Sequence, residues 1–247
     1  MKVTKKHLFL AGESVLVEEF GRMCHSGGYT VSVRLNDRAA PIPGFAKQSR
    51  NIPRDAVLAV ELTNTDRLLK RKNLQAIDKS CPRSTIILSS SITVTAAEQA
   101  SWLRHPGRLV GISALPTLIS QKLIEVAIPV VTSRSSVKAA QAFFSTLGKE
   151  VVVVQDRIGM VMPRILCALI NEAYFAVMEN IAHPHDIDAA MKLGANYPFG
   201  PVEWAEKIEI HQVFHVLEAL HTDLREERYR IAPLLRQLAT GNQWWDT

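Results

Sequence analysis

The sequence predicts an α/β protein in two parts: a doubly wound, mostly parallel sheet over residues 1–155, then an all-helical domain over residues 156–247. Two patterns support this prediction. Short runs rich in β-branched residues alternate with helical segments in the first part, whereas apolar residues recur at helical spacing in the second. The 247 residues, 47% of them hydrophobic and 21% charged, are enough for one large domain or two smaller ones.

In the first part, seven apolar runs are predicted strands and four intervening segments are predicted helices. Continuously apolar strands indicate a sheet that is covered on both faces, and strands separated by helices form parallel units. The strands are predicted at 7–12, 29–35, 56–62, 84–90, 108–113, 122–128 and 150–155, and the helices at 14–25, 65–79, 96–103 and 135–147. Residues 38–54 contain three prolines and a glycine and are predicted to form a loop without strand or helix.

After Asp156 only helical patterns remain. Apolar residues repeat at helical spacing over residues 166–177 and 210–224. Between these two stretches a helix should begin near Pro184 and end just before Gly194. A last short helix is predicted over residues 230–238.

Composition and charge bound the class of protein. Cys24, Cys81 and Cys167 are widely spaced, which predicts reduced thiols in a cytoplasmic protein. The net charge of +5 includes a basic run at residues 67–72, which could attract phosphates, although a solvated helix face is the commoner explanation. The apolar run at residues 8–11 is too short for a signal peptide, and no apolar run approaches the roughly 18 residues of a bilayer span, so we expect no membrane partner. We also expect no nucleic-acid partner.

The turn after the first strand resembles a dinucleotide-binding turn only in part. A Gly-x-Gly-x-x-Gly turn lets the backbone approach a pyrophosphate and lets helix and strand pack closely. Here only Gly12 is present; Ser14 and Val17 replace the other glycines, and Glu13 adds negative charge. An acid at the end of the second strand would bind the ribose, and Asp37 fits only with a shift of about two residues. NAD binding in the usual mode is therefore doubtful, with Gly12, Ser14 and Asp37 as its candidate residues.

Other polar residues stand where ligands bind or where burial demands a partner. The serines at 89–91 follow a buried strand and could contact a substrate carbonyl, or form only a turn and helix cap. Glu125 lies inside an apolar strand, and a buried carboxylate often marks a site. His211 and His215 are four residues apart but lack a third ligand, so we predict no metal site.

Three stretches of the helical part, at residues 156–177, 183–208 and 213–242, resemble the C-terminal domain of the 3-hydroxyacyl-CoA dehydrogenases. The string DIDAAMKLGANYPFGPVEW is the most specific. Upstream, GISALPTLISQKLIEV resembles the segment that carries the family's catalytic histidine, and SSSITVT resembles its substrate-contacting serine stretch. The resemblance implies a Rossmann-type NAD domain, a helical domain that forms a homodimer, an acyl-CoA ligand, and NAD-dependent oxidation of a 3-hydroxyacyl-CoA.

Carried over by position, the resemblance places the family's orienting glutamate at Glu125, its substrate serine at Ser90 and a cofactor-side glutamate at Glu61. The catalytic histidine position is occupied by Ser113, and the asparagine of the helical domain by Pro163.

Three further departures separate this chain from the family. Pro116 and Thr117 replace the Asn-Pro pair that follows the histidine. The short loop 38–54 replaces a helical hairpin, and QWWDT replaces the usual C-terminal tail.

These differences favour a family-like protein with lost or altered dehydrogenase activity that binds an acyl-CoA or related ligand. One alternative is a working NAD-dependent dehydrogenase with an atypical site, in which His105, just before the strand at 108–113, would have to reach the ligand cleft. However, His105-Pro-Gly is typical of a turn at the amino end of its strand, away from the expected ligand end. The other alternative is a non-catalytic dimeric scaffold.

Overall fold

The computed structural model describes residues 6–37, 40–49 and 51–241, and it confirms the predicted α/β fold class. Within these residues, eight strands form one sheet in the order β3-β2-β1-β4-β5-β6-β7-β8. Every neighbouring pair is parallel except β6 and β7, which run antiparallel. The strands are β1 His7–Gly12, β2 Thr30–Leu35, β3 Ala46–Gln48, β4 Ala56–Leu62, β5 Ile86–Ser90, β6 Leu109–Ile112, β7 Leu123–Ala127 and β8 Glu150–Val154.

The chain divides into two compact units, Met1–Met160 and Val161–Thr247. The first unit contains the sheet and four helices of the described residues, α1 Ser14–Ser26, α2 Arg67–Ser80, α3 Ala96–Ser101 and α4 Arg134–Thr146. The second contains α5 Met162–Met178, α6 Pro184–Ala195, α7 Pro201–Ile208, α8 Ile210–Leu224 and α9 Pro233–Ala239. Its last residues, including the QWWDT tail, lie outside the described part of the chain.

The core of the first unit lies between the sheet and helices α1 and α4. Leu8, Leu10, Val31, Val33 and Val60 of the central strands are buried on this face of the sheet. Phe9, whose side chain alternates with those of Leu8 and Leu10 in β1, is also fully buried, as expected for strands covered on both faces. Aromatic rings from the two helices join this core: Phe20 of α1 stacks on Phe143 of α4, and Phe144 packs edge-on against Phe143. The helices thereby cover the sheet and leave the strand ends as the place where a ligand could bind.

Three sequence-based expectations were wrong in detail. Residues 38–54 are not only a loop, because β3 pairs in parallel with β2 and extends the sheet at its edge. Gly194 does not end α6; it lies inside the helix, which stops at Asn196 in the left-handed conformation (φ 57°). The last helix begins at Pro233 rather than near Arg230, because residues 227–229 form a 3-10 turn first.

The string DIDAAMKLGANYPFGPVEW has a clear structural role in the second unit. The Asp188 carboxylate accepts hydrogen bonds from the backbone N–H groups of Val202 and Glu203 at the start of α7, at 2.8 and 3.0 Å. Gly200 lies directly against this carboxylate, and a Cβ there would come within 2.1 Å of Asp188 Oδ1. The aspartate and the glycine therefore form one helix-capping arrangement.

None of the helices in the described residues is long and apolar enough to cross a membrane.

Cys24, Cys81 and Cys167 are free and buried, and burial raises the pKa of all three thiols. The thiols therefore stay protonated and are poor nucleophiles.

Candidate functional site

The strand order locates the expected ligand crevice at the carboxyl ends of β1 and β4. From β1 the chain moves outward to β2 and β3, then returns beside β1 as β4 and continues in the other direction. Ligands of open α/β sheets bind at such a reversal point. Gly12 and Glu13 follow β1 at this edge, and residues 63–65 follow β4.

Gly12 holds β1 and β4 close together at this edge. It pairs with Leu62 across the two strands and has φ of 151°. A Cβ on Gly12 would lie 2.4 Å from the carbonyl oxygen of Leu62, so only glycine fits. At the positions of the other two expected glycines, Ser14 is exposed at the start of α1 and Val17 is fully buried in the core.

The Glu13 side chain reaches from the β1 turn to the loop after β4. Its Oε1 accepts hydrogen bonds from the backbone N–H groups of Asn64 and Thr65 and from Thr65 Oγ1, each at 2.8 Å. Its own backbone N–H donates to Leu62 O at 3.1 Å. The first and fourth strands are thus joined beyond their ends by a carboxylate.

An amide stands directly after β2, where an acid would contact a ribose. Asn36 Nδ2 donates to Thr63 Oγ1 at 2.9 Å, and Asn36 Oδ1 accepts from Asn73 Nδ2 at 3.1 Å. The amide is therefore engaged inside the protein. Asp37 is the next residue and is exposed at the protein surface.

Glu61 is fully buried in an ion pair with Lys70, which is itself only 1% exposed. Asn73 Nδ2 donates to Glu61 at 3.4 Å, and Ser89 Oγ donates to it at the same distance. The basic run at residues 67–72 is a solvated helix face except at Lys70, whose ammonium group points into this buried network. Glu61 therefore balances a buried charge beneath the crevice.

Asn64 makes hydrogen bonds that link the other candidate residues. Sequence patterns did not single it out, since the sequence shows only a polar residue soon after a buried strand. Ser90 Oγ donates to Asn64 Oδ1, and Asn64 Nδ2 donates to Ala114 O at 2.9 Å. Its backbone N–H donates to Glu13. The turn after β1, the serine stretch at the end of β5 and the segment after β6 therefore meet at this asparagine.

Ser113 and Glu125 lie opposite each other at the antiparallel step between β6 and β7. Ser113 N donates to Glu125 O at 3.0 Å, and Ser113 Oγ accepts from the backbone N–H of Glu125 at 3.3 Å. Both residues are buried, with 6% and 4% of their surface exposed. The structure brings the two together with Ser90 at the same end of the sheet, because Ser90 pairs with Ile112.

The segment after Ser113 is held by a carboxylate of α1. Glu19 accepts hydrogen bonds from the backbone N–H groups of Thr117 and Ser120 at 2.9 and 3.0 Å. Thr117 has φ of 67°, a strained conformation for a β-branched residue. Pro116 and Thr117 thus occupy a tightly fixed turn.

The three histidines considered in the sequence analysis make contacts of their own. His105 is at the amino end of β6, where its Nδ1 lies 3.3 Å from Asp78 Oδ1. His211 and His215 lie near Glu209 and Glu218, respectively. Among residues 6–37, 40–49 and 51–241, no three His, Cys, Asp or Glu side chains form a group able to hold a metal ion.

Family models match both parts of the chain. The model described as 3-hydroxyacyl-CoA dehydrogenase, NAD binding domain, matches residues 26–157. The model described as 3-hydroxyacyl-CoA dehydrogenase, C-terminal domain, matches residues 159–244. The first match begins at the end of α1, so it leaves out the turn that contains Gly12 and Glu13.

Relatives named as 3-hydroxybutyryl-CoA dehydrogenases include a probable one from Bacillus subtilis, 33% identical over 74% of this chain and 63% of its own length. The 3-hydroxybutyryl-CoA dehydrogenase of Bradyrhizobium diazoefficiens is 30% identical, and the match spans 62% of that protein. A probable one from Deinococcus radiodurans is 29% identical over 95% of this chain and 83% of its own. The chain thus matches less than two thirds of the first two relatives.

Solved structures agree over nearly the whole chain. The (S)-3-hydroxybutyryl-CoA dehydrogenase PaaH1 from Ralstonia eutropha superposes with a TM-score of 0.79 at 25% identity, covering 96% of this chain and 95% of that one. FadB2 of Mycobacterium tuberculosis reaches 0.84 at 19% identity with the same coverage, which shows a shared fold. On the family models and these relatives together, the chain belongs to the 3-hydroxyacyl-CoA dehydrogenase family.

Proposed function

We propose that this protein has lost the ordinary NAD-dependent oxidation of its family and acts by binding an acyl-CoA or related ligand. The observation that carries the proposal is Ser113, which stands where the resemblance places the proton-accepting histidine. A serine hydroxyl is not a base near neutral pH unless another base activates it, and losing a positioned base costs about 10²–10⁴ in rate.

The surroundings of Ser113 support this proposal. Its hydroxyl oxygen accepts the backbone N–H of Glu125, and this bond ties the side chain to the β6–β7 strand pair. Pro163, at the position of the family's asparagine, is buried near the start of α5. It supplies neither an amide side chain nor a backbone N–H to a reacting oxygen.

The residues of the crevice do not fit NAD in the usual mode, although the family binds it. Glu13 places a carboxylate across the ends of β1 and β4, where the pyrophosphate of a dinucleotide would need donors. Asn36 is engaged with Thr63 and Asn73 instead of offering an acid to a ribose. We therefore assign no hydride-transfer step to this chain.

A homodimer through the second unit is part of the proposal. Ile165, Ile181 and Leu193 of that unit are 60, 70 and 88% exposed. Apolar side chains exposed to this extent favour association with another surface, and the family resemblance points to a second copy of the chain. Sedimentation of the purified protein as a monomer at micromolar concentration would contradict the proposed homodimer.

Calorimetric titration with 3-hydroxybutyryl-CoA, the ligand class named by the relatives, tests the binding part. We expect saturable binding of the ester and weaker binding of free CoA, because the acyl group adds apolar contact. Absence of binding by both ligands to the folded protein would favour the non-catalytic scaffold over a ligand-binding protein.

A further inference from the structure

The Glu13 carboxylate spans the crevice in which a dinucleotide would bind, and nothing in helix formation requires it there. Glu13 is the residue that precedes α1, but its side chain makes no capping hydrogen bond to that helix. We propose that Glu13 is an internal anion that closes the crevice against the diphosphate of a dinucleotide. The inference concerns binding and does not depend on the loss of oxidation at Ser113.

The geometry of the carboxylate supports an anion-like role. Three donors, two backbone N–H groups and one hydroxyl, converge on a single oxygen, Oε1. Such convergence of donors resembles the way backbone amides bind a phosphate oxygen, and bonds to a charged acceptor are about twice as strong as neutral ones. In this chain, the donors of Asn64 and Thr65 therefore already hold an anion, and it is covalently part of the protein.

The location of the Glu13 carboxylate would also hinder a diphosphate from binding at this edge of the sheet. Gly12 and Leu62 pair at the ends of β1 and β4, and Glu13 bridges the residues that follow them. A diphosphate entering this point would meet a negative charge and would have to displace these hydrogen bonds. Like charges brought together without a counter-charge make binding markedly weaker in comparable interfaces.

Asn64 extends the closure to the other candidate residues. The same residue that donates its backbone N–H to Glu13 accepts the hydroxyl of Ser90 and donates to Ala114 O. Release of Glu13 would therefore free a backbone donor at the point where the serine stretch and the segment after β6 meet. If the role of Glu13 were purely structural, its removal would lower the stability of the protein but would create no binding site.

Titration of NADH, followed by its fluorescence, into the wild type and the Glu13→Ala and Glu13→Gln variants separates these possibilities. We expect Glu13→Ala to bind NADH about 10- to 100-fold more tightly than the wild type, because a repelling charge is removed. Glu13→Gln keeps the shape without the charge, so we expect a smaller gain. It also serves as the test if the alanine variant does not fold.

The matched control is Glu18→Gln, on the neighbouring helix α1. Glu18 is exposed and pairs with Arg22 at the surface, so its loss changes the net charge equally without opening the crevice. We expect NADH binding of this variant to equal that of the wild type. Equal NADH affinity in the wild type and in the folded Glu13 variants, whether tight or weak, would overturn the closure.

The result can be separated from the proposed function. Turnover of 3-hydroxybutyryl-CoA by the wild type would contradict the loss of oxidation, whereas NADH affinity in the Glu13 variants tests only the closure. A gain in NADH binding by Glu13→Ala without turnover would support both.

Discussion

Two carboxylates make nearly the same bonds in different parts of the molecule. Asp188 accepts two backbone N–H groups at the start of α7, and Glu13 accepts two backbone N–H groups after β4. Asp188 belongs to the string that resembles the family most closely, whereas Glu13 stands in a turn outside the matched family segment. One carboxylate completes a helix of the fold, and the other occupies a place where a ligand would bind.

The glycines show the same contrast. Gly12 and Gly200 are present, and a Cβ at either position would come within 2.4 Å of a neighbouring atom. At the two glycine positions that would serve a pyrophosphate, Ser14 and Val17 are accommodated at the surface and in the core. Contacts that the fold needs are therefore present, while contacts that only a cofactor needs are replaced.

Loss of a carboxylate with a purely structural role should have the largest effect on stability. Asp78 is buried against Arg108 at 2.8 Å and accepts the backbone N–H of Arg104 at 2.7 Å. Asp78→Asn leaves the guanidinium without its counter-charge, so we expect the free energy of unfolding in urea to fall by about 3 kcal/mol. The same substitution at the exposed Asp55, paired with His7, should cost no more than about 1 kcal/mol.

The effect at Asp78 should also depend on pH. Burial opposes ionisation of Asp78, but hydrogen bonds from Arg108 and from the backbone of Arg104, together with the charge of Arg108, outweigh it and lower the pKa. A lowered carboxyl pKa stabilises the fold above its unfolded value of about 3.9, and this stabilisation disappears as the pH falls through the folded value. The difference between wild type and Asp78→Asn should therefore shrink in acid; a constant difference down to acid unfolding would contradict this assignment.

A smaller loss of stability is expected from Gly200→Ala. The added methyl group would overlap Asp188 and displace the carboxylate from the start of α7, at a cost of about 2–3 kcal/mol in urea unfolding. Gly194→Ala is the matched control, since it lies inside α6 with no atom within 4 Å of an added methyl group and should stabilise the helix by about 0.5–1 kcal/mol. Equal effects of the two substitutions would show that the capping arrangement is unimportant.

The smallest effect is expected from restoring the histidine alone. Ser113→His supplies a proton acceptor, but Glu13 still closes the crevice and Pro163 still stands where the resemblance places an asparagine. We therefore expect no NADH formation from 3-hydroxybutyryl-CoA and NAD by this variant. Turnover by the folded Ser113→His protein would mean that the base was the only missing part and would contradict the closure by Glu13.

Sequence patterns predicted the long elements because their periodicity is strong, and they missed features set by tertiary contacts. The three residues of β3 lie in a Pro-rich stretch and become a strand only by pairing with β2. Gly194 is typical of a helix end, but Asn196, two residues later, takes the left-handed position. Local sequence patterns predict neither the pairing of β3 with β2 nor the residue at which α6 ends.

The sequence predicted which residues belong to the candidate site, but not the hydrogen bonds and the ion pair that link residues of the site. Glu125, Ser113 and Ser90 could be placed from the motif resemblance, and the structure puts them at one end of the sheet. The burial of Lys70 against Glu61 and the junction at Asn64 depend on residues from different strands and helices. Only the structure shows that the basic run at residues 67–72 contributes one buried side chain, Lys70, which pairs with Glu61.

Incubation of the purified wild-type protein with NAD and 3-hydroxybutyryl-CoA, with NADH formation as the readout, tests the central claim most directly. A serine at position 113 and the proposed closure by Glu13 predict no NADH formation above the background without protein. Sustained NADH formation above that background, with repeated turnover of the substrate, would contradict the account.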